Sequence, residues 1–72
     1  MNLDSILPDI ERVTEVGGLV ILKWDGERSS RRITVIVEKP GTDFMYRKDT
    51  DDFESVVIDA IAAYWESIRN TS

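Results

Sequence analysis

The chain has 72 residues, neither cysteine nor histidine, and a formal net charge of −5. That length admits one domain. The missing residues exclude disulfides and remove the usual ligands of zinc and copper. Carboxylates alone could hold only an oxygen-preferring cation such as Ca²⁺ or Mg²⁺, and no cofactor is expected. A core this small contributes only about 3–5 kcal/mol net, so tight packing or self-association must supply what a staple would. A homodimer is therefore expected about as readily as a monomer. The first residues show neither a basic-then-apolar leader nor a lipidation motif, and no apolar run reaches bilayer length. A soluble, cytoplasmic protein is the expectation.

Leu3, Ile6, Leu7, Ile10 and Val13 recur at the spacing of one helix face. With Asp4 or Ser5 as N-cap, Pro8 would fall in the first turn, where its missing N–H costs nothing. Gly17 and Gly18 are the stop. Leu19 to Trp24 is too short and too apolar for a helix and reads as a strand. Asp25-Gly26 opens a polar loop. Arg32 to Glu38, rich in β-branched residues, predicts a second strand. Lys39-Pro40-Gly41-Thr42 fits a type II turn, with proline fixing the second position and glycine allowing positive φ at the third. Asp43 to Lys48 predicts a third strand. Phe53, Val56, Val57, Ala60, Ile61, Tyr64, Trp65 and Ile68 form a stripe along a long second helix, with Asp51 as N-cap, Glu54 three residues on, and Asp49 and Asp52 also near its positive end.

The order is α-β-β-β-α in a single small α+β domain spanning 1–72. A three-stranded antiparallel sheet with both helices packed on one face buries both helix stripes. That order resembles the one found in double-stranded-RNA-binding domains, which contact two minor grooves and the phosphates between them. Membership would imply a lysine-rich start to the second helix. Here the matching stretch is Asp49-Thr50-Asp51-Asp52-Phe53-Glu54, which repels phosphate, so direct nucleic-acid binding is not expected.

Strand parity assigns faces. Val20, Leu22, Trp24, Ile33, Val35, Val37, Phe44 and Tyr46 turn toward the helices, and both Trp24 and Trp65 are expected in the core. The opposite face is expected to carry Ile21, Ile36 and Met45 at its centre, with Lys23, Arg32, Thr34, Glu38 and Arg47 around them. An apolar middle with a charged rim has the make-up of a modest interface.

Charge divides along the chain. Residues 1–16 carry −3, residues 49–72 carry −5, and residues 17–48 carry +3. Acidic helices over a mildly basic sheet are the expectation. The arginine-rich loop Arg28-Ser29-Ser30-Arg31-Arg32 suits anions in principle, but residues 25–32 net only +1. Catalysis is not expected. The commonest general base and the thiolate nucleophile are both missing, and no nucleophile elbow or phosphate-binding glycine motif is present. The leading expectation is a protein-interaction domain, homodimeric through Ile21, Ile36 and Met45 with Lys23, Arg32 and Arg47 at the rim. The alternative is a small acidic inhibitor or immunity-type protein that docks on a basic or nucleic-acid-binding partner. No membrane association is expected.

Overall fold

The computed structural model describes residues 3–27, 29–30 and 32–70; Arg28 and Arg31 of the arginine-rich loop lie outside them. Five elements follow one another: α1 (Leu3–Glu15), β1 (Leu19–Trp24), β2 (Ile33–Glu38), β3 (Met45–Thr50) and α2 (Phe53–Asn70). The strands form one antiparallel sheet in the order β1-β2-β3. Short connections allow each strand to pair with its neighbour in sequence, which gives the meander. Both helices lie on the same face, α1 against β1 and α2 against β2 and β3, and they also touch each other. The core fills this single layer: Ile6 and Val13 of α1, Ile33, Val35 and Val37 of the central strand, and Val56, Val57, Ala60, Ile61 and Tyr64 of α2.

The glycine stop of α1 is a Schellman motif. Gly17 has φ of 90°, its N–H donates to the Thr14 carbonyl at 3.1 Å, and the Gly18 N–H donates to the Val13 carbonyl at 2.9 Å. Pro8, in contrast, is the sixth residue of α1 rather than part of a first turn. It sits on the exposed side of the helix, where water can serve the carbonyl that its missing N–H would have served. Ser5 does not start the helix; its hydroxyl donates across to Glu54 of α2 at 3.0 Å.

The turn after β2 is the type II turn read from the sequence, with Gly41 at φ 87° and the Thr42 N–H on the Lys39 carbonyl at 3.1 Å. It runs on further than expected. The Thr42 hydroxyl accepts from the Phe44 N–H at 3.2 Å, holding Asp43 in the loop. The strand therefore starts at Met45 and ends at Thr50 instead of spanning Asp43 to Lys48. Parity is unaffected, and Phe44 and Tyr46 still pack on the core.

The later strand end moves the start of α2. Asp52, not Asp51, is the N-cap: its carboxylate accepts from the Ser55 N–H at 3.4 Å and from the Ser55 hydroxyl at 2.9 Å. Two further expectations fail at the edge of the core. Trp24 is 56% exposed and Trp65 37%. Each lies edge-on against one aromatic of α2, Trp24 on Phe53 at 5.6 Å and Trp65 on Tyr64 at 5.2 Å. One layer of small depth cannot enclose rings of that size at its margins. Leu3 and Leu7 of the α1 stripe are likewise exposed.

Candidate interaction face

The face of the sheet without helices is organised in cross-strand rows fixed by the pairing register. Ile21 opposes Ile36, and Ile36 opposes Arg47. The neighbouring row on one side is Leu19, Glu38 and Met45; on the other it is Lys23, Thr34 and Asp49. Directly opposed side chains stand about 4.5–5.5 Å apart at Cβ, so Ile21 and Ile36 touch and Arg47 can lay its aliphatic stem beside them. Ile21 is 39% exposed and Met45 56%. Ile36, on the central strand, is half-buried. Leu19, missed in the sequence reading although its parity matches that of Ile21, is also exposed and extends the apolar area along β1, across Glu38 from Met45.

The charged half of this face is occupied with itself. Thr34 is 2% exposed, and its hydroxyl donates to the Asp49 carboxylate at 2.7 Å. Arg47 approaches the same carboxylate at 4.0 Å. Asp49 belongs to β3 and thus to this face; it is not one of the charges at the start of α2. Arg32, expected at the rim, instead closes the β1–β2 hairpin just before β2. Its N–H donates to Asp51 at 3.2 Å, its Nε donates to the Asp25 carbonyl at 3.4 Å, and its carbonyl accepts from the Asp25 N–H at 2.7 Å.

Ile21, Ile36 and Met45 therefore form one contiguous apolar area with Leu19. Lys23 and Arg47 flank it, and Arg32 lies two rows from the isoleucines. With Asp49, counted above with residues 49–72, on this face, the sheet side is nearer to charge balance than the segment totals suggested. Among the described residues no group of three or more acidic side chains could hold a metal ion. No helix among them is long and apolar enough to cross a membrane.

Comparison with protein-family models, with curated proteins and with solved structures finds no match for this chain. The class defined by the fold is a small α+β meander, one sheet with two helices on one face.

Proposed function

We propose that the chain is a protein-interaction module that docks through the apolar half of its open sheet face. One observation carries this reading: Ile21 and Ile36 stand directly opposed on the face that no helix covers, beside exposed Leu19 and Met45. An apolar centre bordered by Lys23, Arg47 and Glu38 matches the usual make-up of a protein contact, in which the centre contributes most of the energy and the rim excludes water.

The test pairs substitutions on the two sides of the molecule. Ile36→Asp and Met45→Glu, each folded by circular dichroism, are expected to abolish capture of the partner that the wild-type chain retains, and salt should matter little. Asp59→Lys, on the exposed side of α2, should leave capture intact. The reverse pattern, with salt-labile capture lost on Asp59→Lys and unchanged on Ile36→Asp, would give the function to the acidic helices as a charge-steered inhibitor.

A further inference from the structure

Main-chain groups in an antiparallel sheet alternate, one residue pointing its N–H and C=O at the neighbouring strand and the next pointing them away. The Asp25 N–H donates to the Arg32 carbonyl, next to the Trp24–Ile33 pair. This sets the alternation for β1. Leu19, Ile21 and Lys23 direct their main-chain groups at β2, and Val20, Leu22 and Trp24 direct theirs outward. Because β1 is at the edge of the sheet, no strand among the described residues takes up that outward row.

The two edges are not alike. On β3 the Lys39 N–H on the Phe44 carbonyl sets the outward row at Met45, Arg47 and Asp49, and three consecutive charges, Arg47-Lys48-Asp49, guard that edge against strand pairing. β1 reads Leu-Val-Ile-Leu-Lys-Trp: one charge, no proline, and a four-residue apolar run. Above it, α1 presents exposed Leu3 and Leu7. They lie on the flank away from α2, since Ser5, on the opposite flank, is the residue that reaches Glu54.

We propose that β1 pairs antiparallel with β1 of a second copy about a two-fold axis at Ile21, joining the two sheets into one of six strands. The register follows from the outward row. Val20 of each copy stands opposite Leu22 of the other, with reciprocal main-chain hydrogen bonds, and Ile21 faces its own counterpart. A slip of one residue would join the open face of one copy to the helix face of the other. A slip of two in one direction would replace the Ile21 pair by Ile21 against Lys23; in the other it would set Ile21 against Leu19 and leave only residues 19–21 of each β1 paired, against 19–23 in the proposed register. In the proposed register Lys23 lies opposite Leu19 of the second copy, and that copy's Glu38 stands one strand further along the same row, about 10 Å away by strand spacing. The row Arg47–Ile36–Ile21 runs on through the axis, giving four isoleucines in line with an arginine at each end. The pairing does not depend on that face docking a partner, but it doubles the surface available for it.

Sedimentation equilibrium and amide exchange on the intact chain, from low to high micromolar concentration, test the pairing. The expected result is a dimer in which the Val20, Leu22 and Trp24 amides slow about tenfold or more as it forms, while those of Arg47 and Asp49 do not change. Ile21→Lys should weaken association about tenfold, since like charges would face each other across the axis. Met45→Glu, on β3 and away from the axis, should leave the dimer intact while removing partner capture, so the two readings fail separately. A monomer at high micromolar concentration overturns the pairing. So does a dimer whose three β1 amides exchange as fast as in the monomer, and the wild-type exchange data decide this even where Ile21→Lys does not fold.

Discussion

At the scale of single residues, close packing is tightest where the chain leaves α1. A Cβ built on Gly18 would strike Val13 Cγ1 and lie 2.8 Å from the Val13 carbonyl and 3.0 Å from the Tyr64 hydroxyl. Two of those neighbours are fixed. Val13 and Tyr64 are both wholly buried, and the Val13 carbonyl already accepts the Gly18 N–H. Gly18→Ala is therefore expected to cost about 1–3 kcal/mol, as overpacking does, read as a lower urea midpoint at unchanged slope. Gly17 is needed for a different reason: its backbone is left-handed, and open space surrounds it. The sequence shows the pair of glycines and marks the end of a helix. It does not show that one glycine serves the turn and the other makes room for a tyrosine 46 positions later.

At the scale of elements, the start of α2 illustrates how a local reading can be right in kind and displaced in position. Asp49, Asp51 and Asp52 are interchangeable by composition, and any of them can cap a helix. The longer turn after β2 moves β3 toward the C-terminus, and that shift separates their roles. Asp49 takes the Thr34 hydroxyl, Asp51 takes the Arg32 N–H, and Asp52 caps α2. Asp52 is itself set by its N–H on the Thr50 hydroxyl at 2.9 Å. Asp52→Ala is expected to lower stability by about 1 kcal/mol and to reduce helicity in the first turn by amide exchange. Loss of first-turn amide protection from Asp51→Ala but not from Asp52→Ala would place the cap where the sequence alone puts it.

Over the whole molecule, unlike charges are unevenly shared between the two sides. The exposed helix surface carries Asp4, Asp9, Glu11, Glu15, Asp59 and Glu66 against Arg12 and Arg69. Two pairs relieve it, Arg12 with Asp9 and Arg69 with Glu66, but exposed pairs within one helix contribute little. Repulsion across this surface is screened within about 8 Å at physiological ionic strength. Moderate salt is therefore expected to raise the thermal midpoint, and a fall with added salt would mean that attraction between the charges outweighs it. The dimer joined through β1 would leave these acidic faces on one side of the extended sheet, so salt should also favour association.

The sequence by itself determined the element order, the side of each strand that meets the helices, the turn at Pro40-Gly41 and the helical stop at Gly17-Gly18. These depend on spacing and on backbone preferences, which are properties of neighbouring residues. Only the tertiary structure decided which aspartate capped α2, that Arg32 left the rim for Asp25 and Asp51, and that Trp24 and Trp65 stayed at the margin. Each of those outcomes depends on how far a loop runs before its strand begins, or on how deep a single layer of helices can be. Neither quantity is a property of any short segment. The apolar half of the open face was legible because alternation with period two places Ile21, Ile36 and Met45 on one face. That Ile21 stands against Ile36, and that Val20, Leu22 and Trp24 turn their main-chain groups outward, required the hydrogen-bonded pairing itself.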